Sequence, residues 1–426
     1  MAKKLLLPSE QVRSPSNLWS AWRQVYRNGI RSKSEETKDD VLNFSSTAEK
    51  SINRINRQLR SNKYIFSPAR GVPIARSGKS PRPIVVSTIP DRIVSRSILD
   101  TLQNVKELKP YFLSKFSFGG IKDVEKDIDR GVSGALLAVN QAIEVGATYY
   151  LRSDIESFFT KIPKKAVIDT VSKVIGDENF INLLERAISV ELENLEELGS
   201  KSELFPLFDI GVAQGCCLSP LLGNILLSEF DYRMNSEDVT CLRYIDDFLI
   251  LGKSESSVRK AFNRAINLLG THDLTAYDPK VNSQKAETGE IKNGFNFLGC
   301  KYVPGLISPD RKSRSRLLFK VDDLIGRSLD SMKNPNSCKK RGLSLVATMN
   351  SLNNLLQGWG NQYSFCNNKQ LMDELDTKID EKIKNYLSLY KLKKDSLQGK
   401  DRSINRRRLL GIHNVGADSK KKPIIK

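Results

Sequence analysis

The stretch LRYIDDFLIL (242–251) sets two adjacent carboxylates, Asp246 and Asp247, in a run composed mostly of buried-strand residues. An unpaired charge is too costly to leave in the middle of a sheet. The two apolar halves therefore read as a tight β-hairpin with the aspartates at or beside its turn, where both can project from the sheet end. A third carboxylate, Asp154, closes the aromatic, β-prone run TYYLRSD (148–154), 92 residues before Asp246. If those strands are neighbours, three carboxylates converge. Two unit charges 4 Å apart repel by about 4 kcal/mol at an effective dielectric of 20. Such a cluster either raises its pKa values or binds cations. With two histidines and six cysteines in no CxxC spacing, nitrogen and sulfur ligands are scarce. All-oxygen coordination favours Mg2+, held by few carboxylates plus substrate phosphates. Two such ions form the clamp used in phosphoryl and nucleotidyl transfer. An Asp pair in a hairpin is also ordinary turn chemistry, and YxDD alone is a weak motif; the distant Asp154 tips the reading to metal binding.

The elements that must position these groups are legible in outline. At 426 residues the chain exceeds what one hydrophobic core usually supports, so two or three subdomains are expected. WSAWRQVYRNGI looks helical, and the polar RSKSEETKDD after it reads as a loop. YIFSPARGVPIARSGKSPRPIVV suggests strands and turns. The Asp154 strand runs into a helix-like FFTKIPKKAVIDTVSKVI, and residues 180–199 carry apolar side chains at helical spacing. GVAQGCCLSPLLGNILLSEFD (211–231) is a Gly-rich turn leading into an apolar helix, and VRKAFNRAINLL is another helix. No internal repeat is present. Strands interleaved with helices, followed by a basic helical end, indicate an α+β core with appended subdomains.

Charge points to the partner. The formal net charge is +19, and from Lys301 to Lys426 there are 27 Lys+Arg against 12 Asp+Glu. Such a field suits a phosphate backbone, with salt-sensitive binding; the terminal KKKPIIK reads as a solvated tail. The longest apolar runs fall far short of the roughly 18 residues that a membrane span needs. MAKKLLLPSE lacks the apolar core of a secretory signal. The cysteine usage fits a reducing compartment, so a cytoplasmic protein is expected.

YIDD with apolar flanks resembles the catalytic motif of reverse transcriptases, and other blocks occur in that family's order. SDIESFF (153–159) looks like the first palm motif, and AQGCCLSPLLGN (213–224) is similar to the QGxxxSPxxxN block of bacterial and group II intron-like members. SQKAE (283–287) and GFNFLG (294–299) resemble the block holding a catalytic lysine and then the primer grip. RSGKSPRPIVVSTIPDRIVSRSI (76–98) is similar to the fingers block, and LNNLLQGWGNQYSF (352–365) to the thumb helix of the intron-like branch. The resemblance spans roughly residues 50–390. It implies a right-hand polymerase: an N-terminal extension (1–50), fingers with part of the palm (51–149), an antiparallel palm with the YIDD hairpin (150–303), a basic helical thumb (304–400) and a basic C-terminal tail (401–426).

The resemblance also implies roles. Asp154, Asp246, Asp247 and the Ile155 carbonyl would hold two Mg2+ ions, with Mn2+ as a substitute. Lys285 would donate a proton to the leaving pyrophosphate, although a solvated loop lysine would look the same. Arg76 and Arg82 flank a flexible GKSP loop suited to gripping a triphosphate. Gln214 and Gly215 would face the incoming nucleotide, and Phe297, Leu298 and Gly299 would form the primer grip. Phe159 would block a 2′-hydroxyl and so select deoxynucleotides, with Phe158 as its competitor for that place. Leu352, Leu355, Leu356, Trp359 and Tyr363 fall at helical spacing and are expected to pack the thumb's own core. The implied partners are an RNA template, dNTPs and the RNA–DNA hybrid. Ala213 replaces the Pro that often precedes the QG pair, and the NAxxH and VTG strings of retron enzymes are absent. With no sign of an endonuclease domain, the make-up resembles defence-associated (antiphage) reverse transcriptases that copy a dedicated noncoding RNA. A group II intron-type maturase acting as an RNA-binding scaffold and a template-independent nucleotidyltransferase are the alternatives.

Overall fold

The computed structural model describes residues 6–32, 34–76, 79–121, 129–235 and 238–414. The start of the GKSP loop and the KKKPIIK tail lie outside them. The chain divides into two units between Glu290 and Ile291.

Among the described residues the first unit carries seven strands: β1 (Arg70–Arg76), β2 (Lys79–Val86), β3 (Ser117–Phe118), β4 (Tyr149–Asp154), β5 (Val239–Tyr244), β6 (Asp247–Gly252) and β7 (Glu287–Glu290). β1 and β2 form a separate antiparallel hairpin, from the sequence whose Pro and Gly breaks suggested strands and turns. The other five make one sheet in the order β3-β5-β6-β4-β7, antiparallel except for the β3–β5 pair. In β6, Phe248, Leu249, Ile250 and Leu251 are all buried, so the strand is covered on both faces. Phe248 and Ile250 share a core with Val258, Ala261, Phe262, Ala265 and Leu269 of the helix Glu255–Gly270. The helix Val132–Glu144 packs on β5 and β6.

From Glu35 on, the polar stretch RSKSEETKDD is helix, not loop. Its second half starts the helix Glu35–Ser46, capped by Ser34, whose hydroxyl accepts the N–H of Thr37. Glu35 and Glu36 in the first turn suit the positive end of the helix dipole. Only Val41 of that helix is buried, so the apolar periodicity that would have revealed it is missing. Residues of the expected N-terminal extension are integral to the first unit: Val12, Leu18, Ala21 and Trp22 belong to the same core as Ile93, Val94 and Ile98.

The second unit opens with a three-stranded meander, β8 (Phe295–Phe297), β9 (Cys300–Val303) and β10 (Leu306–Pro309). A palm ending at 303 would cut this meander, whose cross-strand stack of Phe295 on Tyr302 (5.3 Å between ring centroids) fixes β8 to β9. Helices Arg311–Ser331, Pro335–Lys340, Leu345–Gln362, Lys369–Asp395 and Arg402–Leu410 follow. As the spacing predicted, Leu352 is buried and Leu355, Leu356 and Trp359 pack beside it against Leu317, Val321, Leu375 and Ile379; Tyr363 is buried as well. The described part of the expected basic C-terminal tail, residues 401–414, carries a packed helix. Leu409 is fully buried with Tyr386 and Tyr390, and the Tyr390 hydroxyl donates to the Leu409 carbonyl. Four arginines in RSINRRRLL hid this helix, because one buried leucine leaves almost no apolar stripe.

Truncating a fully buried leucine removes its transfer free energy and leaves a cavity. Leu409→Ala is therefore expected to cost the second unit about 2–5 kcal/mol in denaturant unfolding. Unchanged stability would mean that the last helix is only loosely attached.

Candidate active site

The β4–β6 register places Asp154 directly opposite Asp247, and the β5–β6 register pairs Tyr244 with Asp247. Ile245 and Asp246 are thus the two residues of the hairpin turn. Cross-strand partners share a face of the sheet, so Asp154 and Asp247 project together at the strand end. Ile245 sits at φ +62°, as the first position of a mirror-image hairpin turn requires. For a β-branched residue that conformation stores about 1–3 kcal/mol of strain. Beyond Asp154 the chain stays tied to the turn, because the Ile155 N–H donates to the Asp246 carbonyl at 2.9 Å. On its other side the Asp154 carbonyl accepts the Tyr277 N–H at 3.2 Å.

Lys285 joins this cluster. Its Nζ lies 2.8 Å from Asp154 Oδ2 and 4.9 Å from the centre of the Tyr277 ring. Burial pushes the Asp247 carboxyl up to about 7; Arg152 partly relieves this, while Asp154 and Asp246 add to it. Burial, then the Asp154 charge, pushes Asp246 up to about 6. Burial works against the Lys285 ammonium, but its hydrogen bond to Asp154 and the field of the acids outweigh it and raise its pKa. The negative field is therefore under-compensated.

Three half-buried carboxylates and the Ile155 carbonyl are the right donor type and charge for a divalent ion. As they stand, no three such side chains among the described residues are gathered tightly enough to chelate one. Asp154 is turned to Lys285, which occupies part of the place where the site demands positive charge. The residues fit the ion in chemistry and backbone register, and Asp154 would have to exchange Lys285 for the ion.

Among the residues expected to meet a nucleotide, Arg82 Nε donates to Gln214 Oε1 at 2.9 Å, and the Val85 N–H donates to the Gln214 carbonyl at 2.8 Å. Gly215 takes φ +109°, and a Cβ there would stand 3.0 Å from the Val85 carbonyl oxygen, so the QG pair lies tightly on β2. The Arg82 charge reaches Asp246 and lowers its pKa against the main trend. Arg76 is not brought to the carboxylates; its Nε donates to the Ser80 carbonyl within its own hairpin. Phe158 is the core residue, pressed on Gly223, where a Cβ would stand 2.7 Å from its ring. Phe159 is only half-buried, and its carbonyl accepts the Val212 N–H two residues before Gln214. Phe297, Leu298 and Gly299 lie in the second unit, where Leu298 and Gly299, both at positive φ, turn β8 into β9. The Gly299 carbonyl there accepts from the Asp310 N–H at 2.9 Å and the Ser313 hydroxyl at 3.1 Å.

Two arginines escaped the reading of the sequence. Arg152 stands two residues before Asp154, on the same face of β4, and is the main cationic influence on Asp247. Arg243 of β5, 1% exposed, is buried against Asp231 of the helix Ser228–Arg233. A cation in an otherwise apolar strand was its visible signal.

The family model described as "Reverse transcriptase (RNA-dependent DNA polymerase)" matches residues 74–302, and "Group II intron, maturase-specific domain" matches 327–403. The chain is 25% identical to "Protein YkfC" of Escherichia coli (strain K12), over 58% of this chain and 69% of that protein. It is 26% identical to "Group II intron-encoded protein LtrA" of Lactococcus lactis subsp. cremoris, over 51% of this chain and 33% of that one. With "Retron Ec86 reverse transcriptase" of Escherichia coli it shares 24% identity, over 43% and 63%. Among solved structures, "Structure of apo telomerase from Candida Tropicalis" is similar over 86% of this chain and 74% of that one, at 13% identity and TM-score 0.43.

The raised carboxyl of Asp247 has a testable consequence. Its folded pKa lies above the unfolded value, so ionising it costs stability as pH rises through about 4 to 7, and the whole penalty is present above the folded value. In chelator, Asp247→Asn is expected to melt above wild type at pH 8, with the difference vanishing near pH 4. A difference independent of pH would contradict the burial assigned to this carboxyl.

Proposed function

The chain belongs to the reverse transcriptase family, in its group II intron-like branch, and from that membership we propose that it builds DNA on an RNA template at Asp154, Asp246 and Asp247. The observation that carries this reading is the register that sets Asp154 opposite Asp247 beside a turn made of Ile245 and Asp246. Asp154, Asp246, Asp247 and the Ile155 carbonyl would hold two Mg2+ ions, whose chemistry is to acidify the attacking 3′-hydroxyl and neutralise the phosphates. Lys285, kept protonated by its acidic neighbours, has a proton to give to the leaving pyrophosphate. Arg82, braced by Gln214, would hold the triphosphate, and Arg76 would join it by leaving its own hairpin. Gln214 and Gly215, held on β2, would face the incoming nucleotide. Phe159, half-buried where Phe158 is not, is the aromatic available to exclude a 2′-hydroxyl.

The second unit's basic helices would follow the backbone of an RNA–DNA hybrid by charge and shape, with Phe297, Leu298 and Gly299 gripping the primer. No helix among the described residues is long and apolar enough to cross a membrane; the cytoplasmic location proposed for the enzyme rests on its cysteine usage. A dedicated noncoding RNA as template and a role in antiphage defence follow from the resemblance of the sequence blocks. Sequencing the RNA and cDNA that co-purify with the protein tests the first, and phage plaquing on cells with and without the gene tests the second. A maturase-type RNA scaffold is the second reading, favoured by the match of residues 327–403 to the intron maturase domain.

Primer extension on an RNA template with dNTPs and Mg2+ separates the two. Asp246→Ala with Asp247→Ala is expected to lower kcat by about 10³-fold or more, since the clamp supplies several kcal/mol of charge stabilisation. A double variant with undiminished biological function would favour the scaffold. Phe159→Ala is expected to let ribonucleotides in, seen as a fall in the dNTP-over-rNTP ratio of kcat/KM with dNTP incorporation retained.

A further inference from the structure

We propose that Arg243 is a positioning residue, which from behind the hairpin turn holds the Ile245–Asp246 peptide in the orientation that aims Asp246 into the site. The proposal rests on the polymerase reading of the carboxylates and deepens it, naming a side chain that touches neither metal nor nucleotide.

All five guanidinium donors are engaged. Nε donates to Asp231 Oδ1 at 2.7 Å, and Nη2 to Asp231 Oδ2 at 2.5 Å and Ser117 Oγ at 2.8 Å. Nη1 donates to Asn224 Oδ1 at 2.9 Å and to the Ile245 carbonyl at 2.7 Å. Balancing Asp231 needs only the first two contacts. The rest reach outward to the turn and to Asn224, the last residue of the segment that begins with Gln214 and Gly215.

Stability alone does not call for this arrangement. A buried ion pair gains little over well-packed apolar residues of the same volume, because both ions give up their water. The feature that needs a fixed donor is the strained turn. Ile245 holds φ +62° with its N–H donating to the Phe118 carbonyl at 3.2 Å and its carbonyl held by Arg243. Strain of this kind persists where surrounding groups over-determine it. Gly119 completes the enclosure: at φ +78° its missing Cβ would stand 2.8 Å from the Tyr244 ring and 3.1 Å from Ile245 Cγ1. Releasing the Ile245 carbonyl lets the peptide rotate, which swings the Asp246 carboxylate and also the Asp246 carbonyl that holds Ile155, next to Asp154.

The test replaces the ion pair without emptying its space, as Arg243→Met with Asp231→Leu in one chain. The double variant is expected to keep a cooperative melt. Hydrogen–deuterium exchange of a peptide covering 242–249 is expected to quicken at least about tenfold. The Mn2+ concentration for half-saturation, followed by electron paramagnetic resonance, is expected to rise about 10–100-fold. On an RNA template, kcat is expected to fall about 100-fold with the KM for dNTP little changed. A folded double variant with wild-type exchange and wild-type kcat would overturn the proposal. Should it fail to fold, Arg243→Lys decides: it keeps the charge beside Asp231 but lacks the fork, so a protected turn and full kcat in that variant would be equally fatal. The exchange readout stands apart from polymerase activity. Wild-type protein that extends no primer yet protects its turn would defeat the polymerase reading, and leave the role of Arg243 at the turn intact.

Discussion

Carboxylates crowded at the end of a buried sheet repel one another, and the first unit is arranged around that repulsion. β6 is apolar on both faces up to Phe248, and the acids begin where the strand reaches its tip. Burial and mutual charge raise Asp246 and Asp247, so the site stores a demand for positive charge. Lys285, Arg152 and Arg82 answer part of it, each from a different segment. What remains is a demand that divalent ions could meet.

Holding such a cluster needs a rigid frame, since groups free to swing apart would relieve the repulsion instead of binding a cation. The frame is mostly main chain. Asp154 is fixed by pairing with β6 on one side and by Tyr277 on the other, and Ile155 is hydrogen-bonded to the turn itself. Behind the turn, the guanidinium of Arg243 gathers Asp231, Asn224, Ser117 and the Ile245 carbonyl. Gln214, proposed to meet the nucleotide, binds both the Arg82 side chain and the backbone of β2.

How much of this was legible depended on whether a residue's role lay in its own neighbourhood. The hairpin around Asp246 showed itself through two short apolar runs flanking an adjacent acidic pair. The pairing of Asp154 with Asp247 could only be conjectured, because no spacing encodes which strands become neighbours. Phe158 and Phe159 are indistinguishable in sequence; contact with Gly223 assigns the first to the core. The helix Glu35–Ser46 was read as a loop because it buries one valine, although its Ser34 cap and following glutamates were there to be seen. The meander from Phe295 to Pro309 crossed an expected boundary for a similar reason, since basic composition changes gradually while strand pairing does not.

The central claim is that Asp154, Asp246 and Asp247 together bind divalent ions at the point of nucleotide addition. Crystals of the protein with an RNA template, a DNA primer lacking its 3′-hydroxyl, a dNTP and Mn2+ test it most directly through anomalous scattering. Two manganese peaks are expected, ligated by the three carboxylates and the triphosphate, with Asp154 turned away from Lys285. A nucleotide bound elsewhere, or no manganese between these side chains while the Asp154–Lys285 pair persists, would contradict the account.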